Sequence, residues 1–126
     1  MAVPHRATIS GIVFSTPDPQ ALAGFYHRLL GWPVKKDEPG WVKLADPDGG
    51  PGLSFHEDAT YVPPVWPSEP GQQQMMVHLD IAVDDLDTAG EHATNVGAKL
   101  AEFQPQEYVR VYLDPVGHPF CLFLDR

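Results

Sequence analysis

One pattern occurs twice in this chain, and few architectures can accommodate that. Asp18 and Asp85 lie 67 positions apart, and Gly31 and Gly97 lie 66 apart. The turns Asp46-Pro47-Asp48-Gly49 and Asp114-Pro115-Val116-Gly117 lie 68 apart. Each landmark has a physical role. Asp18 is a good helix N-cap, and Pro19 behind it fits the first helical position, where a missing N–H costs nothing. Gly31 suits the left-handed stop after a helix, and Pro33 prevents resumption. The period is too long and the copies too few for a solenoid. The spacing therefore predicts one α+β domain made of two tandem strand–helix–strand–strand–strand units.

Hydrophobic patterning fills in both units. In the first, Thr8 to Ser15 reads as a strand, and Leu22, Phe25 and Leu29 mark the buried face of a helix ending near Leu30. Strands are expected at Val34 to Asp37, Trp41 to Ala45 and Leu53 to Glu57. In the second, His78 to Val83 is a strand and Asp84 or Asp85 caps a helix. Leu86, Ala89, Ala93 and Val96 share its buried face. Strands follow at Lys99 to Phe103, Tyr108 to Leu113 and Phe120 to Leu124. These limits place module one at 7–57, a connection at 58–74 and module two at 75–126. Pro63, Pro64, Pro67 and Pro70 exclude regular structure from the connection. Its Tyr61, Val62, Val65 and Trp66 are too apolar for a solvated tether.

Composition narrows the partners. The chain has 126 residues and a formal net charge of −9, from 17 acidic and 8 basic residues. The basic residues are scattered, so neither nucleic acid nor an anionic membrane is an expected partner. No apolar run is long enough to span a bilayer. The opening residues Met1-Ala2-Val3-Pro4-His5-Arg6 carry no secretory-type apolar stretch. The single cysteine, Cys121, cannot staple the chain and suits a reducing compartment, so a cytoplasmic location is expected. There is no Gly-rich phosphate loop, no Gly-x-Ser-x-Gly elbow and no Cys-x-x-Cys pair.

Three segments carry a family resemblance. His78-Leu-Asp-Ile-Ala-Val-Asp-Asp-Leu86 resembles the opening of a second βαβββ module of the vicinal-oxygen-chelate superfamily. Asp114-Pro-Val-Gly-His-Pro-Phe-Cys-Leu122 resembles its closing hairpin, and Phe25-Tyr26 with Leu30-Gly31-Trp32 its first helix. Trp66, Gln73 and His78-Leu79-Asp80 are similar to a bacterial glyoxalase-like branch. The superfamily includes glyoxalases, extradiol dioxygenases, fosfomycin-resistance enzymes and bleomycin-binding proteins. The resemblance implies curved mixed sheets around a cleft, with the helices outside. It also implies a homodimer, because such modules often complete clefts across subunits.

Metal-dependent members place His, Glu or Gln ligands on the first and last strand of each module. Carried over by position, the first-strand ligand falls on His78 in module two and on Gly11 in module one. The last-strand ligand falls on Cys121 and, counted from the turn, on Leu53. His78 is thus the one standard ligand kept, with His56, Glu57 and Cys121 as possible partners. This incomplete set implies that no cofactor is required, although a divalent metal with non-standard ligands stays open.

Other residues complete the candidate site. Asp80 alternates with His78 and shares its side of the strand. Arg110, mid-strand between two valines, either faces solvent or reaches an anionic ligand. Phe55 and Trp66 are candidate apolar contacts, although core packing accounts for most of the aromatic residues. Trp66 serves no helix or strand, so it is expected as a lid or a dimer contact. His5, His27, His92 and His118 read as ordinary surface residues. The expected function is a small-molecule-binding protein with a degenerate metal site and a cleft for an apolar or aromatic ligand. The alternative is a metal-dependent lyase, isomerase or dioxygenase that uses His78.

Overall fold

The computed structural model describes residues 4–125; Met1–Val3 and Arg126, the ends of the expected 1–126 domain, lie outside them. Module one contains β1 (Gly11–Thr16), α1 (Pro19–Leu30), β2 (Val34–Glu38), β3 (Trp41–Leu44) and β4 (Gly52–Glu57). Module two contains β5 (Leu79–Val83), α2 (Leu86–Asn95), β6 (Lys99–Leu100), β7 (Val109–Leu113) and β8 (Pro119–Leu124). Each module builds its own four-stranded mixed sheet, ordered β1-β4-β3-β2 and β5-β8-β7-β6. The expected duplication is therefore present in topology. In each sheet the first strand pairs parallel with the last, and the other pairings are antiparallel. The least regular element is β6, which is two residues long rather than the expected five.

The caps act as their residue types dictate. Asp18 accepts from the backbone N–H of Ala21, and Gly31 ends α1 at a φ of 73°. Asp85, not Asp84, caps α2, accepting from the N–H groups of Asp87 and Thr88.

One core serves both modules. Phe25 and Tyr26 of α1 lie fully buried, and the Tyr26 ring stacks on Phe55 at 5.5 Å. Phe25 also meets Phe120 of β8 at 6.1 Å. The helix of module one thus packs on a strand of module two. Polar contacts reinforce the join: the ring of His92, exposed as expected, meets the Arg28 carbonyl at 3.0 Å.

Parity along the strands separates two faces. Phe14, Phe55 and Val42 are cross-strand partners on the buried face of the first sheet. Phe120 and Leu122 mark the buried face of the second. The opposite faces carry Val13, Ser54 and Lys43 in the first sheet, and Asp80, Cys121 and Val111 in the second.

Candidate functional site

His78 immediately precedes β5, and Asp80 lies within it, one register step from the core-facing Leu79. Asp80 pairs across the ladder with Cys121 of β8, so the two side chains share the open face. The Nε2 of His78 lies 3.0 Å from Oδ1 of Asp80. Burial and the neighbouring Asp80 carboxylate, which accepts a hydrogen bond from the thiol, push Cys121 up to about 11. Donor atoms of His78, Asp80 and Cys121 all lie within 4.8 Å of one another. Three expected site residues therefore form one cluster.

The other expected residues sit elsewhere. Arg110 pairs across the ladder with Leu122 and so projects on the helix side, where its guanidinium lies 3.2 Å from Asp87. It is turned away from the face that carries Asp80. Phe55 is a core residue with no exposed surface, because strand parity places it with Leu53 against α1. His56 lies on the opposite face of the same strand, in a cross-strand row with Ser15 and Trp41. Its Nδ1 faces the Glu57 carbonyl at 2.6 Å. Neither His56 nor the exposed Glu57 belongs to the His78 cluster. Trp66 donates from Nε1 to the Phe103 carbonyl at 3.1 Å and packs on the Phe103 ring. It pins the connection to the segment between β6 and β7.

The strand register also moves one equivalence. With β1 laid on β5, Gly11 corresponds to His78 and Val13 to Asp80, and the cross-strand partner matching Cys121 is Ser54, not Leu53. The first module has one extra residue between its turn and its last strand, so a count from the turn lands on the wrong face. Module one thus offers Gly11, Val13 and a buried Ser54 where module two offers His78, Asp80 and Cys121. A Cβ at Gly11 would lie 3.1 Å from the Gly52 carbonyl oxygen, and one at Gly52 would collide with the Leu44 carbonyl oxygen. Close approach of backbones, not only loss of a side chain, shapes this position.

A second feature lies beside the cluster. A cavity of about 390 Å³ runs along the free edge of β1. Its walls include Val13, Tyr61, Val62, Met75 and Val77, the last adjacent to His78. Residues of the connection, among them Asp58, Thr60 and Gln73, close it on one side. His118, in the turn before β8, forms part of the lining. This residue is buried, contrary to its reading as an ordinary surface histidine. Its Nδ1 lies 3.0 Å from Oδ2 of Asp114, which also accepts from the Tyr26 hydroxyl at 2.8 Å. Burial, and secondarily the Asp114 charge, raises Tyr26 well above the usual tyrosine range. Tyr61 is raised by the same two causes. The only sequence signal for His118 was its place in the repeated turn.

A family model of the glyoxalase-like domain matches residues 11–123. The chain belongs to the glyoxalase-like domain family. Solved structures agree on the fold. A glyoxalase/bleomycin resistance protein/dioxygenase family enzyme from Burkholderia phytofirmans PsJN is similar at 19% identity and a TM-score of 0.71, over 92% of this chain and 97% of that one. A glyoxalase-related enzyme from Fulvimarina pelagi is similar at 17% identity and a TM-score of 0.67, over 94% and 88%. A glyoxalase/bleomycin resistance protein/dioxygenase from Nocardioides is similar at 22% identity and a TM-score of 0.60, over 98% and 87%. No curated protein matches. The matched span takes in both modules, including His78, Cys121 and the cavity lining. Among the described residues, no helix of this glyoxalase-like chain is long and apolar enough to cross a membrane.

Proposed function

We propose that this glyoxalase-like protein binds a small, largely apolar or aromatic molecule in the cavity along β1. The observation that carries the reading is the cavity itself, about 390 Å³, whose walls combine the apolar Val13, Tyr61, Val62, Met75 and Val77 with about as much polar surface. Binding sites for small molecules typically have this size. The donor set of module two is then a degenerate metal site, since its module-one counterparts Gly11, Val13 and Ser54 supply no comparable ligands. Methylnaphthalene is a suitable probe. It should raise the thermal midpoint of the wild type, and Val13→Trp, which fills the cavity from an exposed strand position, should abolish the effect. No stabilisation of the wild type at the probe's solubility limit would remove the reading.

The clustering of His78, Asp80 and Cys121 favours a second reading, a metal-dependent lyase, isomerase or dioxygenase. Imidazole, carboxylate and thiolate suit a zinc-like ion, and three protein ligands leave a position open. The fit has a cost, because the Cys121 thiol must lose a proton that its surroundings hold up to about 11. Such an ion would supply Lewis acidity towards substrate oxygens. Metal content after purification without added metal distinguishes the readings: stoichiometric metal lost in His78→Ala supports the enzyme, and its absence supports the binding protein.

A homodimer accords with either reading. Val13, Met76, Val77 and Phe103 expose large apolar surfaces that a second copy could cover. Sedimentation at micromolar concentration tests this. The free thiol of Cys121 and the net charge of −9 accord with a cytoplasmic protein that binds neither nucleic acid nor membrane.

A further inference from the structure

The cavity has one polar group whose chemistry is fixed by its surroundings. Both oxygens of the buried Asp114 carboxyl are occupied. Oδ1 accepts from the backbone N–H groups of Val116 and His118, each at 3.0 Å. Oδ2 accepts from the Tyr26 hydroxyl at 2.8 Å and faces Nδ1 of His118 at 3.0 Å. An ionised carboxylate only accepts, so Nδ1 carries the proton, and in the neutral imidazole Nε2 presents its lone pair. The imidazole cannot easily turn to hide that lone pair. Phe14 meets it edge-on at 5.2 Å, and Tyr61 stacks on it at 4.9 Å. Tyr61 is itself tied to the Val116 carbonyl at 3.0 Å. Among the described residues Nε2 has no protein partner. No buried side-chain nitrogen or oxygen among the described residues lacks one, so Nε2 keeps access to solvent. His118 lines the cavity.

We propose that His118 is the polar anchor of this cavity, accepting a hydrogen bond at Nε2 from the hydroxyl of a neutral, phenol-like aromatic ligand. The proposal rests on the reading of the cavity as the ligand site. Three features select this chemistry. A lone pair on a largely buried ring that a ligand covers asks for a donor, because a ligand without one leaves it unpaired. The walls of Val13, Tyr61, Val62 and Met75 suit a flat hydrocarbon body. The cavity lining contains no Lys or Arg, and its one acidic residue, Asp58, repels an anion, so a carboxylate ligand is disfavoured. Asp114 is a positioning residue: it holds the tautomer and does not reach the ligand.

Naphthol, methylnaphthalene and naphthoate share one hydrocarbon body and differ in the polar group. Calorimetric titration of the intact protein should give naphthol about tenfold tighter than methylnaphthalene, as one well-made hydrogen bond implies. Naphthoate should be the weakest. In His118→Phe, which keeps the ring and removes the lone pair, the preference for naphthol should vanish while methylnaphthalene still binds. Nitrogen NMR of the wild type gives a test that does not depend on the variant folding: the His118 Nε2 resonance should move with naphthol and stay with methylnaphthalene. Equal affinity for the two in the wild type, or an unmoved Nε2 resonance, overturns the anchor and leaves the cavity reading intact. Failure of all three probes to bind overturns both.

Discussion

The hydroxyl of Tyr26 donates to Asp114 across 88 positions of chain and joins the helix of one module to the turn of the other. Both side chains are buried, so neither has water to turn to if the partner is lost. Tyr26→Phe should therefore cost about 2 kcal/mol, the range for a buried hydrogen bond to a charged group. Urea denaturation measures it. Unchanged stability would mean that the contact contributes nothing net.

The same pair predicts a pH dependence. Tyr26 is raised well above the ordinary tyrosine value by burial and by Asp114. Below about pH 10 the residue is neutral in both folded and unfolded chains, and its contribution is fully present. Above that, the unfolded chain releases a proton that the folded chain retains, so stability falls as pH rises. Tyr26→Phe lacks this component, whereas Tyr61 keeps its share in both proteins. The stability gap between the two should narrow as pH rises above about 10, the ordinary tyrosine value. A constant gap would contradict the assignment.

Cys121 should be a slow thiol. Moving its pKa from an ordinary 9.0 to about 11 lowers the thiolate fraction near neutrality about a hundredfold. Burial is the larger cause and Asp80 the next, so Asp80→Asn should accelerate alkylation without bringing it to the rate of a free thiol. Stopped alkylation with mass detection reads this directly. No change in Asp80→Asn would remove the carboxylate as a cause.

Phe55 and Arg110 should separate stability from binding. Phe55 is fully buried, so Phe55→Ala should destabilise by about 3–5 kcal/mol through lost transfer energy and a cavity. Arg110 and Asp87 form an ion pair whose side chains are 38% and 89% exposed, so Arg110→Ala should change stability by about 1 kcal/mol or less. Arg110→Ala should also leave aromatic-probe affinity unchanged, as calorimetry can establish. A large loss of affinity would bring Arg110 back to the ligand.

Local rules made the scaffold legible. Caps, helix stops and Asp-Pro turns are short-range signals, and their repetition identified two modules. The pairing of His78 with Asp80 was legible because strand side chains alternate with a period of two. Cys121 joined them only through the family resemblance and the parallel β5–β8 pairing, which no local pattern encodes. Phe55 was misplaced even though the alternation of Leu53 and Phe55 against Ser54 and His56 was there to be read. His118 was out of reach. In sequence it is a polar residue in a turn, and it is buried by Phe14 and Tyr61, which lie 104 and 57 positions away. Long-range packing made a turn residue into a cavity wall.

The tight crossing of Gly11 and Gly52 gives the duplication a direction. Placing a histidine at position 11 would not recreate the chemistry of His78, because the first carbon of any side chain there already crowds the neighbouring strand. The backbone of β4 would have to give by a few tenths of an ångström to admit it, and at Gly52 the carbonyl oxygen of Leu44 blocks any side chain outright. A return to two equivalent halves therefore asks for a backbone adjustment as well as a new side chain. Divergence of the two modules costs only side chains, whereas matching them again at this position also moves backbone.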